Sequence, residues 1–160
     1  LALLAWSHLA RARGWQFDAA LCTQVLGRTR FSGRFCRHGR ILVDGAHNPM
    51  GLEALCDALA GAGAHFDRLV FQSMRDKTLD PAILKRLQSL ADEVVIPGLG
   101  LERACDPAEL AARFGTGARV AACLADALAD GLAADGTILL CGSLYLAGAY
   151  YELYPEHLEL

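Results

Sequence analysis

The chain has 160 residues, 54% of them hydrophobic and only 21% charged, with a net charge of −3 and a pI near 5.9. That composition excludes a disordered segment, and the length suits one well-buried α/β domain. No basic stripe interleaves with aromatics, which excludes an evident nucleic-acid surface, and no apolar run is long enough to span a membrane.

Residues 1–12 carry a helical pattern with an alanine-rich face. The opening Leu1-Ala2-Leu3-Leu4-Ala5-Trp6 has no basic region before it and continues into that helix. It therefore reads as a cut inside a longer protein and not as a signal peptide. Residues 18–27 read as a second short helix, capped by Asp18 and ended by Gly27. Residues 1–30 are thus expected to be linker helices from a preceding domain, with the main domain at residues 31–160. Two strands follow, at 34–37 and 40–43, joined by a turn at His38-Gly39.

From there strand and helix signals alternate. Helices are expected at 49–59, 80–90, 106–114, 124–133 and 144–153. Asp80-Pro81 and Asp106-Pro107 mark two of the starts. Strands are expected at 68–72, 93–96, 118–121 and 137–141. Runs such as Leu69-Val70-Phe71 and Ile138-Leu139-Leu140 lack polar alternation, so they are buried on both faces. The expected fold is a three-layer α/β/α, Rossmann-like domain. Its sheet is mostly parallel, with an antiparallel strand near the start.

Ligands of open parallel sheets bind beyond the carboxyl ends of the strands. Four polar or glycine-rich segments arrive there: residues 44–48, 72–77, 97–103 and 142–143. Together they place Asp44, His47, Asp76, Lys77 and Arg103 around one cleft. Plainer roles stand beside this one: Asp44 as a turn cap, Asn48 and Ser143 as helix caps, and Asp76-Lys77 as a solvated pair. Phosphate-binding fingerprints are missing: there is no Gly-x-x-x-x-Gly-Lys-Ser/Thr, and Gly98-Leu99-Gly100 lacks the third glycine of a dinucleotide loop. The six cysteines form no Cys-x-x-Cys and fit reduced thiols of a cytoplasmic protein. No metal ligands are expected.

Several stretches, in order, resemble the C-terminal domain of folylpolyglutamate synthase/dihydrofolate synthase, within the Mur-type ligases. Gly33-Arg34, preceded by Phe31-Ser32 in place of Trp-Pro, is similar to the start of that domain. Residues 41–51 resemble its Leu-Leu-Asp-Gly-Ala-His-Asn-Pro-x-Gly motif. Asp76-Lys77, Arg103-Ala104 and Gly142-Ser143-Leu144-Tyr145 resemble later motifs. The resemblance implies an ATP- and Mg2+-dependent reaction in two steps. A folate or dihydropteroate carboxylate takes the γ-phosphoryl group, and the amine of L-glutamate then displaces phosphate from the acyl phosphate. It implies nucleotide contacts from Arg34, Asp44 and His47, and catalytic roles for His47 and Lys77. Asp76, Lys77 and Ser143 would bind substrate. The P-loop and magnesium ligands are expected in an N-terminal ATPase domain absent from this chain, which would be its partner. The resemblance also implies a cytoplasmic monomer that binds neither nucleic acid nor membrane. Two alternatives remain: a Mur-type cell-wall amino-acid ligase domain, and a non-catalytic Rossmann-like binding module.

Overall fold

Asp18, Asn48, Asp80, Asp106 and Ser143 each sit in extended backbone immediately before a helix. Each side chain accepts a hydrogen bond from a first-turn amide. Those amides have no partner within the helix, so a short polar side chain there fixes where the helix begins. Proline at the next position after Asn48, Asp80 and Asp106 adds a preset φ where no amide is needed.

The computed structural model describes residues 2–29, 31–115, 117–133 and 135–158. The chain divides into two compact units, residues 1–30 and 31–160. The first holds α1 (Ala2–Arg13) and α2 (Ala19–Arg28), with the rings of Trp6 and Trp15 5.6 Å apart. In the second, the strands are β1 (Cys36–His38), β2 (Ile41–Val43), β3 (Phe66–Phe71), β4 (Ala91–Pro97), β5 (Ala118–Ala121) and β6 (Ile138–Cys141). Its helices are α3 (Pro49–Gly61), α4 (Pro81–Gln88), α5 (Pro107–Phe114), α6 (Leu124–Ala133) and α7 (Leu144–Leu153), followed by a 3-10 turn at Pro155–His157.

The six strands form one sheet in the order β1-β2-β6-β3-β4-β5. Among the described residues only β1 and β2 pair antiparallel within the sheet; every other strand pair is parallel. One face is covered by apolar residues of α3, α4 and α5, which pack with Leu42, Leu69, Phe71, Val94, Ile96 and Leu139. The other is covered by α6 and α7, which pack with Ile41, Val43, Val70, Val95, Ile138 and Leu140. Successive strand residues thus enter opposite layers, which is why the strands are continuously apolar. The expected three-layer, mostly parallel fold with an antiparallel strand at its start is the one observed.

Several boundaries differ from expectation, each for a local reason. The first strand begins at Cys36, not Arg34, and the turn is Gly39-Arg40. Phe35 adopts φ 50, and its amide donates to Asp44 Oδ2 at 2.8 Å, which draws residues 34 and 35 out of the ladder. Strand β3 stops before Gln72, whose side-chain amide is committed to Pro97 and Cys105 carbonyls. Helix α2 passes through Gly27 to Arg28, with Thr29 closing it. Cys36, Cys56 and Cys141 are buried, Cys22 and Cys105 are half-buried, and Cys123 is exposed. Burial pushes the thiols of Cys56, Cys105 and Cys141 up, away from the reactive thiolate.

Arg68, buried on β3, donates to Glu93 Oε2 at 2.8 Å and to the Ala127 carbonyl at 2.8 Å, tying the sheet to α6. Arg119 on β5 donates to the other oxygen of Glu93. Partial burial alone would raise the Glu93 carboxyl, but the Arg119 hydrogen bond and the charge and hydrogen bond of Arg68 outweigh it, and the net shift is downward. A carboxyl depressed on folding stabilises the native state above its unfolded pKa. That contribution is lost as pH falls through the folded value. Unfolding free energy should therefore decline from pH 6 to pH 3, and Glu93→Gln should flatten part of that slope in urea titrations. An unchanged slope in the variant would remove Glu93 from the account.

Candidate active-site cleft

All five parallel strands deliver their carboxyl ends to one edge. The crossover from β2 to β3 runs through α3 on one face, while α7 leaves β6 on the other. The chain therefore parts on either side of β6, and a crevice opens beyond its end.

Residues 44–48 line that crevice and are tightly tied. The Asp44 amide donates to Leu140 O, and the Gly142 amide donates to Ala46 O, each at 2.9 Å. Gly45 donates to Gly33 O at 2.7 Å. A Cβ on Gly45 would run into Leu144 Cδ2, the tip of an exposed side chain, and lie 3.1 Å from Gly33 O, so a larger residue there must displace Leu144. Gly142, at φ +105, is more tightly restricted: a Cβ there would lie 2.5 Å from both Gln72 O and the Phe71 ring.

Asp44 spends both carboxylate oxygens on backbone: Oδ2 accepts from Phe35 N at 2.8 Å and Oδ1 from Ala46 N at 2.7 Å. It joins the end of β2 to the loop that carries Arg34. Arg34 is exposed, and among the described residues its guanidinium has no hydrogen bond or ion pair. Arg34 and Asp44 line a cleft of about 280 Å3 with Phe35, Ala46, Gly51, Ala54, Leu55 and Ala58.

His47 is half-buried, and its Nδ1 lies 2.8 Å from Gly45 O. A carbonyl only accepts, so Nδ1 carries a proton and donates it to Gly45 O. Asn48 caps α3 through Gly51 N at 2.8 Å, as the sequence suggests.

A second polar group forms beyond β3 and β4. Lys77 Nζ is 3.0 Å from Asp76 Oδ2, and Arg103 lies 3.6 Å from Asp76 Oδ1. Arg103 also donates to the Tyr145 hydroxyl at 3.0 Å and stacks over that ring, 5.2 Å from its centroid. The hydrogen bond from Lys77, with the charges of Lys77 and Arg103, holds the Asp76 carboxyl below the usual range. A wider cleft of about 670 Å3 opens here, lined by Arg75, Asp76, Leu101, Glu102 and Arg103. Arg75 fixes its walls by donating from Nε to Ala104 O at 2.9 Å, beside an isolated bridge between Met74 and Ala104.

The expected residues thus fall into two groups, Arg34 with Asp44 and Asp76 with Lys77 and Arg103. His47 stands on the first loop. No hydrogen bond or ion pair joins the groups among the described residues. Ser143 is 1% exposed, and its Oγ accepts from Tyr145 N. Two contributors escape a reading by motif alone. Gln72, fully buried, staples the two loops of the second group. Tyr145 belongs to a quoted motif, but its partnership with Arg103 depends on the fold. Among the described residues no group of three or more His, Cys, Asp or Glu side chains is placed to hold a metal, and no helix is long and apolar enough to cross a membrane.

Comparison with known proteins places this cleft in context. No curated protein matches the sequence. The folylpolyglutamate synthase of Mycobacterium tuberculosis, solved with ADP and AMPPCP, superposes with a TM-score of 0.75 at 30% identity, over 94% of this chain and 38% of that one. E. coli FolC in complex with DHPP and ADP gives 0.76 at 23% identity, over 91% and 36%. The bifunctional folylpolyglutamate synthase/dihydrofolate synthase of Yersinia pestis gives 0.75 at 22% identity, over 88% and 35%. The chain spans little more than a third of the length of these proteins. Residues 27–144 match the family model described as Mur ligase, glutamate ligase domain, and the chain belongs to that family.

Proposed function

We propose that this chain is the C-terminal domain of an ATP-dependent ligase that joins L-glutamate to dihydropteroate, folate or both, and that it closes one side of the nucleotide and glutamate site. The observation that carries the proposal is Arg34: an exposed guanidinium without a partner among the described residues, at the mouth of a cleft whose backbone is fixed by Asp44. An unengaged guanidinium suits a polyphosphate, since its paired N–H groups match phosphate oxygens.

ATP supplies the phosphoryl group that activates the substrate carboxylate. Arg34 offsets negative charge that builds on the phosphate oxygens during transfer. Asp44 keeps the loop in place, and each of its oxygens retains a lone pair for a ribose hydroxyl. His47 Nε2 takes a proton from the glutamate ammonium group, the freed amine attacks the acyl carbon, and phosphate leaves with the second proton as the amide forms. Lys77 pairs with a glutamate carboxylate, and Asp76 with its ammonium group. Ser143 serves the substrate site through the turn it caps. Magnesium enters this reading as an ion held by the N-terminal ATPase domain, which is also the domain's partner. The whole enzyme is read as a cytoplasmic monomer. Domain closure excludes the water that would hydrolyse the acyl phosphate.

The test uses the intact protein with ATP, magnesium, L-glutamate and either dihydropteroate or tetrahydrofolate. ADP release should match formation of a product one glutamyl unit heavier by mass spectrometry, while the 160-residue chain alone gives none. Turnover of a muramyl substrate in place of the pteridine would sink the folate assignment.

A further inference from the structure

The loop carrying Arg34 is anchored from a direction that the cleft does not reveal. Gly33 N donates to the hydroxyl of Tyr151 on α7, a buried bond of 2.8 Å between residues 118 positions apart. Tyr151 is 8% exposed, and its ring belongs to the apolar layer beneath the sheet. Its hydroxyl oxygen accepts from Gly33. His38 Nε2 lies 3.2 Å from the same oxygen, within hydrogen-bond reach. His38 is itself held: its ring stacks on His157 at 4.6 Å with 6° between planes, and meets Tyr151 edge-on at 5.7 Å. Gly33 O in turn accepts from Gly45. The amide and the carbonyl of Gly33, one residue before Arg34, are therefore both fixed, by α7 and by the residue that follows Asp44.

We propose that Tyr151 is a positioning residue for Arg34, with its hydroxyl oriented by His38, and that this pair sets the affinity of the cleft for the polyphosphate of ATP. The inference rests on the reading of Arg34 given above. A buried tyrosine hydroxyl could instead only satisfy a buried amide. The two roles part in their consequences: pure satisfaction governs stability, whereas positioning governs the nucleotide and leaves other substrates alone.

Tyr151→Phe keeps the ring in its apolar layer and removes only the hydroxyl. His38→Phe keeps an aromatic ring against His157 and removes the Nε2 partner of the Tyr151 hydroxyl. Tyr154→Phe, at the end of the same helix, is the control. Hydrogen exchange at the Gly33 amide should quicken about tenfold in Tyr151→Phe, and less in His38→Phe. In the intact enzyme, well below the melting temperature, Tyr151→Phe should raise the ATP KM about three- to tenfold, the range one hydrogen bond supports. The glutamate KM should stay put, and kcat should move less than twofold. The double variant should resemble Tyr151→Phe alone, because both act through one chain of bonds. Unchanged Gly33 exchange, or an ATP KM equal to wild type despite faster exchange, would overturn the positioning role. A wild-type enzyme that neither binds nor uses ATP would overturn the reading of Arg34, and this inference with it, by a separate observation.

Discussion

On the proposed ligase function, replacing Arg34 with alanine should lower ATP-dependent turnover of the intact protein by about two to three orders of magnitude, the cost of losing one preorganised charge-stabilising donor. The melting temperature of the 160-residue chain should stay where it was, because the Arg34 guanidinium supports nothing among the described residues. That combination is diagnostic. A side chain kept for stability costs stability when removed, and one kept for a ligand costs only function. Arg34→Lys retains the charge but not the paired N–H geometry, so it should recover a minor part of the loss. Steady-state rates with varied ATP, set beside thermal unfolding of both variants, decide the matter. An alanine variant within threefold of wild type would remove Arg34 from the chemistry.

The largest effect on stability should come from Gly142→Ala. A methyl group there must lie 2.5 Å from a carbonyl oxygen and from an aromatic ring, in backbone with φ +105. Neither neighbour is a flexible side-chain tip. Gln72 O belongs to the backbone at the end of β3, and Phe71 is fully buried, packed edge-on against Phe114 at 5.3 Å. Overpacking and left-handed strain add to a loss of about 3–5 kcal/mol. Urea unfolding should show the midpoint drop with little change in slope. A loss below 1 kcal/mol would mean that β3 and β6 can separate at this edge at little cost.

Much of the fold was legible because its signals are local. Asp-Pro pairs at 80 and 106 and the Asn-Pro at 48 announce helix starts in three residues, and unbroken runs such as Ile138-Leu139-Leu140 announce buried strands. The misreadings arise where distant residues compete. Nothing near Arg34 says that Asp44 will take the Phe35 amide and delay β1. The turn at Pro155–His157 went unread, since what holds it includes the His38 ring, far away in sequence. The same division runs through the site. Arg34 and the Asp44 loop are visible as a motif, but whether Asp44 is a turn cap or a ligand contact could not be read from residue types. The fold makes it a clamp first, with both oxygens engaged. Tyr151 carries no local mark at all, because its meaning lies in a bond to a glycine at the other end of the domain.

The place of β6 has a consequence for how the domain is made. Of the six strands of this sheet it is the last in chain order, yet it lies between β2 and β3 and supplies the ladder on both sides. Until it emerges, the β1–β2 hairpin and the β3–β4–β5 half-sheet have open apolar edges and no strand ladder between them. Such edges are what chains aggregate through and what chaperones cover. Assembly of this domain is therefore a closing step made late, by the segment that ends in Gly142 and leads into α7. The crevice cannot exist on a nascent chain before that strand slots home.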